Sequence, residues 1–255
     1  MVKRSLLLIL GALLAACAST PTPTPEPAPV YRIVTIPALE ATLIEWMTEY
    51  SKDVEEFNLK LEVLAPGIVT TSVSDGDVEL AVDLRLPPVD WFSTPLAVEP
   101  IAIIVNPAIS IDTIEVAELT DLFSGRIPSW SELTDSTEDV QPIIPIQGDP
   151  VREYFHEIVM GGTSYSTNAL LGSRPASIIQ LVEQNPGGIG FVPLSQVRGD
   201  VNVLLIGGVT PSASDNDDEN YPLHLTIIAM APNEPVDPVR NFLLWLQTEE
   251  SKAER

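Results

Sequence analysis

The chain has 255 residues, 45% of them hydrophobic, which is enough to bury the core of one sizeable domain or two smaller lobes. Its 13 basic and 36 acidic residues give a formal charge of −23, a surface that repels phosphate backbones and argues against nucleic-acid binding. A single cysteine excludes a disulfide framework within the chain.

Lys3 and Arg4 precede an apolar stretch of roughly ten residues that ends in Leu14-Ala15-Ala16-Cys17. This is the pattern of an export signal, and it is too short to span a bilayer. The Leu-Ala-Ala-Cys ending resembles the lipobox of bacterial lipoproteins, in which the cysteine is lipidated and becomes the mature N-terminus. The resemblance implies a signal peptide over residues 1–16, lipidation (palmitate) at Cys17 and a protein anchored to the cell membrane, facing the outside or the periplasm. A signal-peptide cysteine of no consequence is the alternative. Buried acyl methylenes contribute roughly 0.8 kcal/mol each, so more than one chain gives a stable anchor. Residues 17–30, with prolines at 21, 23, 25, 27 and 29 interleaved with threonine, read as an extended tether.

A folded unit starts near Tyr31. Leu39, Leu43, Trp46, Met47 and Tyr50 recur at helical spacing, and Leu59 to Val63 alternates as a half-buried strand does. Glu79 to Asp83 is a further strand, and the unbroken apolar run Ile101 to Val105 reads as a strand buried on both faces. Val116, Leu119, Leu122 and Phe123 form one helical stripe that Gly125 ends. Ile143 to Ile146 is a short strand, and Asp149-Pro150 is an N-cap with proline at the first helical position, opening a helix through Phe155 and Ile158. Ile178, Ile179, Leu181 and Val182 lie on a helix ended by Asn185-Pro186-Gly187. Strands follow at Ile189 to Val192, Val201 to Ile206 and, after an acidic loop, Leu223 to Met230. Val239, Phe242, Leu243 and Leu246 face inward on a last helix. Alternating strands and helices predict an α/β architecture with largely parallel sheets.

Certain segments carry a resemblance. Leu119 to Leu133, with Leu122-Phe123, Gly125, Ile127, Trp130 and Glu132-Leu133, resembles the "L-x-x-I-F-x-G-x-I-x-x-W-x-E-L" signature of the phosphate-binding proteins of phosphate ABC transporters. Gly76 to Leu86 is similar to that family's "G-x-x-D-I-A-x-x-S-R-x-L" segment, with Glu79 for the aspartate and Arg85 kept. Thr94 through Pro107 resembles its strand into the second lobe, and Asn185 to Phe191 its "N-P-G-A-I-G-Y" element.

The resemblance implies a type II periplasmic-binding-protein fold, in which two α/β lobes enclose a cleft. Lobe one would comprise about 31–106 and 203–255, and lobe two about 107–202. It also implies a substrate-binding protein that delivers phosphate or another small oxyanion to an ABC permease. A monomer is expected, and no cofactor or metal. The family's first loop corresponds roughly to Thr35-Ile36-Pro37-Ala38, where Thr35 alone keeps a hydroxyl. Its "G-S-G-T-R" loop corresponds to Gly148-Asp149-Pro150-Val151-Arg152, keeping only glycine and arginine. The ligand-binding candidates are therefore Thr35, Arg85, Gly148, Asp149 and Arg152. Asp149 reads first as a plain helix cap, and Arg152 also as an ion-pair partner.

Each hydrogen bond lost to a charged ligand removes roughly 1.5 to 3 kcal/mol, so the altered loop speaks against tight phosphate binding. The alternative function is a surface lipoprotein that keeps the fold as an interaction or sensory module. An enzyme is not expected. His156 and His224 lack metal-ligand spacing, neither a Gly-x-Ser-x-Gly elbow nor a Gly-Lys-Ser phosphate loop occurs, and Asp217-Asp218-Glu219 reads as a solvated loop.

Overall fold

The computed structural model describes residues 29–54, 58–76, 78–212 and 221–248. The signal peptide, Cys17, most of the tether and the acidic residues 217–219 lie outside these. Among the described residues no helix is long and apolar enough to cross a membrane.

The fold is α/β with a curled mixed sheet, organised as the two lobes of a periplasmic-binding-protein-like architecture. In the first lobe β1 (Tyr31–Thr35) pairs in parallel with β2 (Leu59–Val63) and β3 (Leu80–Asp83). Helix α1 (Glu40–Asp53) follows β1, and the short α2 (Val69–Ser74) precedes β3. The long strand β4 (Phe92–Val105) joins the lobes. Its first part pairs with β10 (His224–Ala231), which also pairs with β3; its last part, Ile101 to Val105, pairs with β8 (Gly188–Pro193) and β9 (Asn202–Ile206). The remaining strands, in the second lobe, are the two-residue β5 (Thr113–Ile114) beside β9, then β6 (Gln141–Pro145) and β7 (Leu170–Gly172), which extend the sheet in parallel from β8.

The expectation of largely parallel sheets needs correcting. β4 and β10 run antiparallel to each other and to their other partners, so the centre of the array is antiparallel. These two strands sit in the middle of the array, flanked by the parallel pairs β1–β2 and β1–β3 on one side and β6–β8 and β6–β7 on the other.

The run Ile101 to Val105 is wholly inaccessible to solvent, and its alternate residues separate the two faces. Ile101, Ile103 and Val105 join the main core, while Ala102 and Ile104 pack with Ile143, Ile178 and Val182 beneath α5 (Pro175–Gln184). On the other face, Phe155 stacks on Phe191 at 3.9 Å between centroids, and Phe123 meets both edge-on at 5.0 and 5.4 Å. These rings lock α3 (Val116–Ser124) and α4 (Pro150–Phe155) onto β8. The α-helix expected through Ile158 ends at Phe155 and continues as a π-helical turn, His156–Met160.

The tryptophan of the signature segment has a definite task. Trp130 is fully buried, and its indole N–H donates to the Gly187 carbonyl at 2.9 Å, tying that segment to the Asn185-Pro186-Gly187 turn. Gly125 ends α3 in the left-handed region at φ 79°, and a Cβ there would lie 2.8 Å from the Ser166 hydroxyl. Helix α6 (Val239–Leu246) buries Val239, Phe242, Leu243 and Leu246 in the first lobe, with Phe242 5.2 Å from the Tyr50 ring of α1.

Candidate functional site

The candidate site lies where the C-terminal ends of β1 and β3 in lobe one face the start of α4 in lobe two. Crevices at the carboxyl ends of strands are the usual ligand positions of open α/β sheets.

Arg85, two residues past β3, reaches across the cleft. Its guanidinium donates to the Pro66 carbonyl of its own lobe at 2.7 Å, and across the cleft to the Gly148 carbonyl and to the Glu153 carboxylate at 3.1 and 3.3 Å. The Arg85–Glu153 pair is half exposed, and such pairs contribute only about 0.2 to 1 kcal/mol. Gly148 makes this geometry possible. Its φ of 86° lies in the left-handed region that favours glycine, and it turns the chain from β6 into α4.

Asp149 caps α4. One carboxylate oxygen accepts from the Val151 amide at 2.9 Å, and the residue is 5% exposed. Burial pushes its carboxyl up to about 6, against the lowering pull of the Val151 and Arg152 amides and of Arg85. Asp83, at the end of β3, is also buried and accepts from the Leu84 and Arg85 amides at 2.7 and 3.3 Å; burial raises its carboxyl as well. Two buried acids, Asp83 and Asp149, thus flank Arg85.

The other candidates lie differently. Thr35 is fully buried and its hydroxyl donates to the Val82 carbonyl at 2.9 Å, so it is engaged between β1 and β3. Arg152 is not brought together with Arg85. Its guanidinium donates to the Pro145 carbonyl at 2.9 Å and lies 5.1 Å from the centroid of the Tyr165 ring, a cation–π contact within lobe two. Among the described residues Arg152 makes no ion pair and has instead an aromatic face and a carbonyl.

Further contacts between the lobes were not evident in the sequence. The Thr42 hydroxyl of α1 donates to Ser195 Oγ at 3.0 Å and accepts from the Gln196 amide at 3.0 Å. Ser195 in turn donates to Glu99 through its amide and hydroxyl at 3.0 and 2.8 Å. Glu99 is buried on β4, where burial raises its carboxyl, and it holds the turn after β8 against the crossing strand. Arg174 pairs with Glu40 at 2.9 Å beside this network. The only available signal for Glu99 was an acid set in the apolar β4 segment; Thr42 and Ser195 look like ordinary surface hydroxyls.

Between Ala38 of lobe one and Asp149, Val151, Arg174 and Phe191 of lobe two remains a cavity of about 10 Å³, room for about one water. The lobes are therefore closed on each other at this position by their own side chains. Among the described residues no group of three or more potential metal-ligating side chains occurs.

The joining strand β4, the two lobes and the cleft between them define a two-lobed α/β fold of the periplasmic-binding-protein kind. Residues 89–250 match the family model described as a PBP superfamily domain, and the chain belongs to that superfamily. It is similar to the phosphate-binding protein PstS of Bacillus subtilis strain 168, 24% identical over 156 residues. That match covers 61% of this chain and 52% of the relative, so it spans about half the relative's length. Among solved structures it resembles a phosphate ABC transporter substrate-binding protein with bound phosphate from Clostridium perfringens, with a TM-score of 0.77 at 17% identity, covering 87% of this chain and 94% of that one. It also resembles an ABC-type phosphate transport receptor from Vibrio cholerae, with a TM-score of 0.68 at 16% identity, covering 88% and 96%.

Proposed function

We propose that this protein is an extracytoplasmic solute-binding lipoprotein of an ABC transporter, held at the membrane through Cys17 and a proline-rich tether, that takes phosphate or another small oxyanion. The observation that carries this reading is Arg85, a cation projected from one lobe of a binding-protein fold onto the opposite lobe's Gly148–Glu153 segment. Guanidinium groups suit oxyanions because their parallel N–H donors match two oxygens at once. Opening of the lobes would free Arg85 from Glu153 and Gly148, and a solute would take their place.

The same geometry sets the strength. A solute has to displace Glu153 from Arg85 and approach buried Asp149, whereas the hydroxyl and glycine amide of the related loop motif are replaced here by Asp149 and the N–H-less Pro150. Binding should therefore be millimolar rather than micromolar. Each 1.4 kcal/mol is a factor of about ten, so a few lost donors account for the difference.

The water-sized cavity supports a second reading, in which the closed lobes act as an interaction or sensory module without a transported oxyanion. Thermal unfolding in the presence of phosphate, sulfate and other oxyanions separates the two. A ligand at 100 times its dissociation constant adds about 2.7 kcal/mol of stability. A stabilisation that disappears in Arg85→Ala supports solute binding, and no stabilisation by any oxyanion supports the second reading.

A further inference from the structure

A larger space lies on the other side of the Arg85–Glu153 bridge. It is a groove of about 830 Å³ between the lobes, separate from the water-sized cavity beside Asp149. One wall is a single face of α4 and its π-helical extension: Pro150, Glu153, Tyr154 and Glu157 follow each other at i, i+3, i+4 and i+7. The facing wall is the sheet surface of β4 and β10, where Pro95 and Thr226 are exposed, and the Leu84–Pro87 segment closes one end. Asp149 and Val151, on the opposite side of the α4 start, face the small cavity instead.

The charge in the groove is asymmetric. Arg85 is its only arginine or lysine, and its guanidinium is already taken by Glu153, Pro66 and Gly148. Glu157 stands on the same helix face with no ion pair among the described residues. The charge left for a ligand is thus a carboxylate, set against apolar walls formed by Leu86, Pro95, Leu225 and Ile228. Pockets of about 300 to 1,000 Å³ with mostly apolar walls and a few polar groups suit small organic molecules. His224 also lines the groove, with its Nδ1 3.2 Å from the Tyr221 carbonyl, and an oxyanion would meet Glu157 with no free arginine or lysine in the lining.

We propose that this groove is a second binding site, on the far side of the Arg85–Glu153 bridge from the cavity beside Asp149, and that it takes a small organic cation: an amine carried on an apolar body, with the ammonium at Glu157 and the body along the Pro95–Ile228 wall. The site stands on its own geometry and does not require that the cleft bind phosphate.

The test uses matched probes on the full folded chain, 1-aminoadamantane and phenethylamine against adamantane-1-carboxylate and 3-phenylpropionate, titrated by calorimetry and by NMR shift mapping. The amines should bind saturably and the carboxylates should not. Glu157→Gln should weaken the amines about threefold or more without lowering the melting temperature, and Thr226→Arg, at an exposed position, should abolish their binding. Absence of amine binding, equal binding of amines and carboxylates, or amine binding that survives both substitutions would overturn the proposal. A parallel phosphate titration keeps the two sites apart: amine binding without a phosphate response leaves the groove standing and counts only against the oxyanion cleft.

Discussion

Replacing Asp149 by asparagine isolates the cost of placing a charge at the closed interface between the lobes. Asparagine keeps an oxygen to accept the Val151 amide, so the cap survives while the charge is removed. Burial holds the Asp149 carboxyl at about 6 against an ordinary 3.8, a gap worth roughly 3 kcal/mol for a group this buried. The folded pKa lies above the unfolded one. Between pH 3.8 and 6 the folded protein therefore binds the proton more tightly, and stability declines as pH rises through that window. The variant does not titrate at this position. Its stability relative to wild type should be near zero at the acid end of the window and grow to about 3 kcal/mol in its favour at pH 7. Asp83 and Glu99 are also raised by burial, but they are present in both proteins and cancel in the difference. Urea unfolding of both proteins from pH 4 to 7.5 measures it directly. A difference that stays flat with pH, or a variant less stable at pH 7, would refute the assignment of a buried, costly charge.

Other expectations follow from the same contacts. Trp130→Ala removes a fully buried side chain and leaves the Gly187 carbonyl without its donor, so a loss of about 3 to 5 kcal/mol is expected in denaturant unfolding. Arg85→Ala removes the bridge to Gly148 and Glu153, and small-angle scattering should show a larger radius of gyration than wild type, with only a small change in melting temperature because the bridge is partly exposed. The triple replacement of Asp149, Pro150 and Val151 by serine, glycine and threonine restores the hydroxyls and amide of the related loop motif. Calorimetry should then show phosphate affinity at least about tenfold tighter, and unchanged affinity would place the weakness in the Thr35–Ala38 loop.

Much of the fold was legible because its signals are local. The apolar run Ile101 to Val105 identified a doubly buried strand, Gly125 the end of α3 and Asp149-Pro150 the start of α4, each from side-chain chemistry acting within a few residues. The antiparallel centre was not legible, since strand direction in a sheet depends on where the chain returns from the second lobe, and no short window records that. At the site, Arg85 and Gly148 were found through motif resemblance and do meet across the cleft. Arg152 follows the same motif but turns to Tyr165, because the aromatic face and the Pro145 carbonyl beside it satisfy the guanidinium inside lobe two. The Thr42–Ser195–Glu99 network was out of reach, as its members are far apart in sequence and each is an ordinary polar residue until the lobes close. Asp83 had a readable hint, an acid ending an apolar strand, and its burial beside Arg85 gives that hint meaning.

On the function proposed above, Arg85 in the interlobe cleft receives an oxyanion when the lobes open. Calorimetric titration of the tether-free folded domain with phosphate and sulfate, up to about 10 mM, tests it most directly. Saturable millimolar binding that is lost in Arg85→Ala and retained in Arg152→Lys is the predicted result. No saturable heat with any oxyanion, or binding indifferent to Arg85, would contradict it.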